Sequence, residues 1–324
     1  MTKKPPRKSP AKKKSAPDGE IEAMMRQFEK LMASKDLVTL GDLDALLTSL
    51  HAPSVLDGLS DAEANAKYEA QELAFDAQEA ESEAQARKLA RRALAKDPDC
   101  VDALAVLAGI ESDSPRKMIE AMQKAVAAGE RSLGAKFITE NRGHFWGLIE
   151  TRPYMRALEQ LAALLRAEGL NLDAMKHYEK MLELNPNDNQ GVRDPLLGLY
   201  LATNNLEAAR KLLKDYEEDT SANFAWGRVL ERFLSADLAG AATALKTARK
   251  ENRFLELYLS GQKGLPKRLP EMYSPGSDDE AILVLDYMSP AWAKHTEAVL
   301  WLLEQLMAGK AGKKTTARTG KRLH

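Results

Sequence analysis

The chain has 324 residues, 44% of them hydrophobic but only 6% aromatic, and a formal net charge of -1. That length holds one elongated repeat domain or two compact ones, and an apolar content carried by Ala and Leu suits close helix crossings better than a β-rich core. The single cysteine, Cys100, excludes an internal disulfide and a CxxC metal site; no stretch approaches the ~18 apolar residues of a membrane span, and MTKKPPRKSP lacks the apolar run of a secretory signal. A cytoplasmic protein without a membrane segment is expected.

The charge is segregated. Residues 1–18 are rich in Pro, Lys and Ser and should form a disordered basic tail; residues 308–324 should form another. Residues 1–17 and 308–324 together carry thirteen cations and no acid, which leaves 34 basic residues against 48 acids between them, a net of -14. Such tails can bind polyanions weakly through phosphate charge, but no aromatic is interleaved to stack on bases. Residues 19–50 read as a short helical hairpin. Ile21, Met24, Met25, Phe28, Leu31 and Met32 face one way on its first arm, and Leu40, Leu43, Leu46, Leu47 and Leu50 on its second. HAPSVLDGLS at 51–60 breaks the pattern and reads as a linker.

From about residue 61 to 307 the chain repeats. In the clearest unit, 155–186, Leu158, Leu161, Ala162 and Leu165 form one helix face and Gly169 sits at the turn. Ala174, Tyr178 and Met181 form the second face, and Pro186 ends it because it cannot donate the next backbone hydrogen bond. The unit resembles the tetratricopeptide pattern, with Leu in place of the usual Trp and Tyr of its first helix. Upstream, Ala74, Ala86, Ala90, Ala93 and Pro98 fit an alanine-rich unit, and Leu104, Leu107, Ala108, Ala121, Met122 and Ala125 fit another. Downstream, Ala208 lies 34 residues after Ala174, with Leu206, Ala209, Leu212 and Leu213 completing its helix; Ala241, Leu245 and Ala248 mark a fifth unit.

Two segments break the period: 129–154, and 261–276 with its three prolines. A capping-box spacing at Ser277 and Glu280 predicts a helix start. Another helix should begin near Pro290 and carry Trp292, Val299, Leu300, Leu302, Leu303 and Leu306 to close the stack. The expected fold is all-α: a tetratricopeptide-like helical-repeat superhelix, an α-solenoid with disordered basic termini.

The strings GHFWGLIETRPYMRA at 143–157, LNPNDNQGVR at 184–193 and LPEMYSPGS at 269–277 resemble a group of bacterial tetratricopeptide proteins similar to the suppression-of-tumorigenicity family of animals. The resemblance spans about residues 65–305 and implies the fold rather than an activity. The membrane segments of the animal relatives are absent here. Tetratricopeptide domains that clamp chaperone C-termini carry Asn at the sixth position of a first helix. That position is Val106 in the second unit and Gln160 in the clearest one, which argues against that ligand.

Nothing converges on catalysis. His51, His144, His177, His295 and His324 lack metal-ligand spacing, and no GxSxG, Walker or GxGxxG motif occurs. Cys100 reads as a small buried hydrophobe, and the acidic run Asp57–Glu83 as a solvated face. No cofactor or metal is expected, and the function expected is a non-enzymatic scaffold or adaptor presenting a concave helical-repeat groove to a protein or peptide partner, with a nucleic-acid-associated adaptor using the basic tails as the alternative. The expected partner site joins the insertion to the opening of the next unit: Arg142, His144, Phe145, Trp146, Arg152 and Arg156 with Asn189, Gln190 and Arg193. Aromatics and Arg anchor interfaces, and the arginines favour an acidic ligand. The competing reading buries these aromatics to fill a gap in the stack.

Overall fold

The computed structural model describes residues 59–270 and 272–319, so the expected 19–50 hairpin and the N-terminal tail lie outside them. Among the described residues every regular element is helical. The chain divides into two compact units, residues 1–160 and 161–324.

Unit 1 contains α1 (Asp61–Gln78), α2 (Glu83–Lys96), α3 (Val101–Glu111), α4 (Pro115–Leu133), α5 (Ala135–Glu140), two 3₁₀ turns (Phe145–Gly147 and Ile149–Thr151) and the start of α6 (Arg152–Ala167). Serines set three of its helix starts. Ser60 forms a reciprocal capping box with Glu63, and Ser82 and Ser114 accept from the backbone N–H groups of Gln85 and Lys117. Alanine makes its core. Ala70, Ala74 and Ala77 of α1 cluster with Ala90 and Ala93 of α2, with Cys100 and with Ala103. Cys100 is therefore the small core hydrophobe expected, its Sγ 3.6 Å from the Ala70 carbonyl oxygen.

Unit 2 contains the end of α6, then α7 (Asn171–Leu184), α8 (Arg193–Ala202), α9 (Leu206–Asp215), α10 (Ala222–Leu234), α11 (Leu238–Glu251), α12 (Leu255–Leu259), α13 (Asp278–Lys294) and α14 (Thr296–Thr319). The second helix of each pair buries residues at i, i+4 and i+7: Ala174, Tyr178 and Met181 in α7, Ala241, Leu245 and Ala248 in α11. Ala86, Ala90 and Ala93 do the same in α2 of unit 1. In α9 the buried counterpart of Ala174 is Ala209, one residue beyond the expected Ala208, which is only half-buried. The register follows the helix start, and the long connection at 185–192 delays that start. The hairpin turns share one geometry. Gly169, Asn204 and Ala236 all have positive φ (72°, 59° and 60°). Each is followed by a residue whose N–H reaches back across the turn: Leu170 to the Leu165 carbonyl, Asn205 to Tyr200, Asp237 to Arg232.

The C-terminal part departs from expectation. Ser277 caps α13 as its spacing predicts, but no helix begins at Pro290, which lies inside α13. Proline leaves the carbonyl of residue i-4, Asp286, without its helical donor. Arg166 supplies one, donating Nη1 to the Asp286 carbonyl at 3.1 Å and Nη2 to its carboxylate at 2.6 Å. The helix that follows starts at Thr296 and runs to Thr319, into the stretch expected to be disordered.

The largest departure concerns the groove. In a stack of helix pairs the first helices offer the inner face. Here α8 and α10 are buried nearly all round, because α13 packs on both. Trp292 of α13 meets Trp226 of α10 edge to face at 6.2 Å. Gly198 lets α8 approach so closely that a Cβ there would stand 2.2 Å from the Tyr287 carbonyl oxygen. The first-helix face of unit 2 is filled by the chain itself.

Candidate interaction surfaces

The insertion follows α4, which continues to Leu133; Gly134, at φ 77°, ends it. After α5, Gly143 at φ 90° turns the chain into the two 3₁₀ turns. Thr151 fastens them, its buried hydroxyl donating to the carbonyls of Phe145 and Leu148. Phe145 is 0% exposed and packs edge to face on Tyr154 at 6.4 Å. Gly129 makes room for Tyr154, since a Cβ there would lie 2.6 Å from its ring. The aromatic insertion is thus a plug in unit 1, and Phe145 is core rather than a partner contact. Trp146 is half-buried under the Arg152 guanidinium, 5.2 Å from the ring centroid, and Arg152 Nε donates to the Trp146 carbonyl. Arg142 and His144 are exposed.

Arg156, expected to meet an acidic ligand, meets an internal one. Its Nη2 and Nε lie 2.6 and 3.2 Å from the two carboxylate oxygens of Asp102, which is 2% exposed and also accepts from Gln71 Nε2. A buried carboxylate needs such partners, so Arg156 is a packing residue.

In unit 2, Asn189 is exposed and Gln190 half-buried. Arg193 is engaged on every side. Its Nε donates to Asp219 at 2.8 Å, its Nη1 lies 3.3 Å from Asp188, and its plane covers the rings of Tyr216 and Phe224 at 5.1 and 5.8 Å. Asp188 also accepts the backbone N–H groups of Val192 and Arg193, so this side chain ties the connection to the start of α8. Burial pushes Asp188 above the ordinary carboxylate range. Asp219 is held below it despite burial, by hydrogen bonds from Ser221 and Arg193. Burial and the nearby Asp219 charge raise Asp194 to about 7. Arg193 is a structural pin and not a free cation for a ligand. The six expected residues of the insertion belong to unit 1 and the other three to unit 2.

Sequence reasoning missed two outward grooves between successive second helices of unit 2. The first, about 500 Å³, runs between α7 and α9 over Leu196 and Tyr200 of α8. Glu179, Glu183 and Asp215 rim it against one cation, Lys211. The second, about 670 Å³, runs between α9 and α11 over α10. It is rimmed by Arg210, Lys214, Arg228 and Arg232 against Glu217 and Glu231. Neighbouring grooves that share α9 therefore have opposite charge. The signal was present in the polar positions flanking each buried i, i+4, i+7 stripe. A cleft in unit 1 lined by Lys67, Cys100 and Tyr154 holds about 70 Å³, room for a couple of waters. Among the described residues no group of His, Cys, Asp or Glu gathers to hold a metal ion, and no helix is long and apolar enough to cross a membrane.

No family model matches the chain, and no curated protein matches it. The suppression-of-tumorigenicity resemblance therefore rests on the quoted strings alone. Among solved structures, PilF of Pseudomonas aeruginosa aligns at 20% identity, covering 58% of this chain and 92% of that one, with a TM-score of 0.29. That score is too low to transfer anything from that protein to this one. The helical-repeat assignment stands on the helix pairs themselves.

Proposed function

We propose that this protein is a non-enzymatic interaction scaffold whose partner surfaces are the outward grooves of its repeat helices. One observation carries the reading: α13 fills the first-helix face of unit 2, while two open grooves of opposite charge, the first with an apolar floor, remain on the other side. An open groove of this size accepts an extended or helical peptide, and rim charge sets which one. The groove between α9 and α11 suits an acidic peptide and the groove between α7 and α9 a basic one. In unit 1 the exposed edge of the plug, Arg142 and His144 beside Trp146, offers a further contact. The basic ends add weak polyanion binding that should fall steeply with salt and vanish when residues 1–18 and 308–324 are removed.

Anisotropy titrations with fluorescent acidic and basic peptides test the grooves. Leu182→Arg should abolish binding of basic peptides and Lys214→Glu that of acidic ones, each leaving the other intact. Undiminished binding of both peptides by a folded double variant would remove the grooves from the function.

A further inference from the structure

The segment between α12 and α13 is built like a displayed loop. Its neck is closed by Lys263, whose Nζ lies 2.6 Å from both carboxylate oxygens of Asp278. Below that pair, Tyr258 donates to the same carboxylate, and Lys263 also covers the Phe254 ring at 5.7 Å. On the α13 side, the Gly276 N–H is held by Glu280 Oε2. Beyond the neck the loop points its apolar side chains outward. Leu265 is 61% exposed, Leu269 63%, Met272 83% and Tyr273 56%. These are four of the nine large exposed hydrophobics among the described residues, gathered within nine positions. Lys267 and Arg268 stand between the two Leu-Pro steps, exposed and without an ion pair among the described residues. A compact loop held at its neck and carrying apolar residues outward needs a counterpart, because such patches mark interaction sites.

The same unit carries a surface of matching chemistry. The groove between α7 and α9 has an apolar floor, Leu182, Leu196 and Leu212 with Tyr200, and on its rim Glu179, Glu183 and Asp215 outweigh one cation, Lys211, which pairs with Asp215. Its α9 wall runs from Ala208 to Asp215, about 10 Å at 1.5 Å per residue. Leu265 to Leu269 spans at most about 14 Å, so the two leucines can lie along the floor while Lys267 and Arg268 face Glu183 and Asp215. The loop does not fill this groove in its own chain, since its leucines stay exposed.

We infer that the 264–275 loop of one copy docks into the α7–α9 groove of a second copy, making the protein a homotypic assembler. Reciprocal docking closes a two-fold dimer, and one-way docking builds a chain of copies. The inference rests on the groove reading above, but adds who occupies it.

Sedimentation velocity of the full-length protein over a wide concentration range tests it. The wild type should self-associate. Lys267→Glu with Arg268→Glu should weaken association by roughly tenfold or more, as loss of close interfacial charge pairs does. Glu183→Lys with Asp215→Lys should do the same, with circular dichroism confirming that both variants fold. An equimolar mixture of the two charge-reversed proteins should recover a heteromeric complex. A wild type that stays monomeric, or one whose association survives either reversal, overturns the proposal. So does loop-dependent binding of the monomer to phosphatidylserine vesicles without self-association. A monomer that still takes basic peptides into the groove overturns this inference and leaves the scaffold reading intact.

Discussion

Replacing Arg193 by Ala separates a pin from a ligand contact. The Arg193 side chain is 28% exposed, whereas those of Asp188 and Asp219 are 1% and 9% exposed. Removing the cation leaves two carboxylates in a poorly solvated site, and breaking a fully buried pair costs about 3–5 kcal/mol. The partial exposure of Arg193 reduces that figure through solvent screening. Lost stacking on Tyr216 and Phe224 adds back roughly 0.5–1 kcal/mol for each ring. A net loss of about 3 kcal/mol is expected, read as a lower urea midpoint at unchanged slope at pH 7.5. Arg193→Lys should recover only part of it, because an ammonium cannot span both acids in a planar fork. Asp219→Asn in the Arg193→Ala background should recover stability by removing one stranded charge. A folded Arg193→Ala protein within about 0.5 kcal/mol of wild type, the range of an ordinary surface substitution, would refute the pin.

Ala236 sits at φ 60° where its counterparts are Gly169 and Asn204; Ala236→Gly should stabilise by about 1 kcal/mol, seen as a raised melting temperature. Asp194, held near 7 in the folded chain, has its folded pKa above its unfolded one, so the folded state binds the extra proton. Its contribution to stability is therefore lost as pH rises from about 4 through 7. Asp194→Asn should show a shallower decline, so its melting temperature gains on wild type between pH 5 and pH 8; parallel profiles would contradict this. Phe145→Ala should cost about 3–5 kcal/mol as a core truncation, and the half-buried Trp146→Ala only about 1–2 kcal/mol; chemical denaturation ranks them, and a reversed order would mean the plug is seated on the wrong ring.

The repeat was legible because its signals are local. Apolar residues at i, i+4 and i+7, a serine before α1, α2 and α4 and Gly169 at a turn can all be read along one strand of text. The same turn at Ala236 was harder to see, because tertiary packing imposes the left-handed conformation there on a residue that does not favour it. Arg156 and Arg193 were misjudged for a related reason. An arginine beside aromatics is favourable both at an interface and inside a fold. Asp102 lies 54 residues from Arg156 and Asp219 lies 26 from Arg193, so only the folded chain shows that those charges are already matched; Asp188, five residues before Arg193, is the one near partner. Pro290 was read as a boundary because proline breaks an isolated helix. What cancels the break is Arg166, 120 residues before the Asp286 carbonyl it answers.

That long-range repair bears on how the protein can work. A helix laid over α8 and α10 must come close to both, and three features permit it. Gly198 removes the side chain that would hold α13 off α8, and Gly227 lets the Leu197 side chain of α8 close on α10 beneath it. Arg166 answers the carbonyl that Pro290 orphans, so α13 can carry a proline without fraying. Asn252 ties the base of the arrangement, donating Nδ2 to the Ser277 carbonyl and to Glu280 while its own carbonyl accepts Trp226 Nε1. Exposing Trp226, Met288 and Trp292, each buried almost completely, would forfeit several kcal/mol of apolar burial together with those bonds. A peptide competing for the first-helix face would have to replace all of it at once. The outward grooves ask for no such exchange: they are already open and lined with charge, and a ligand there need not displace α13.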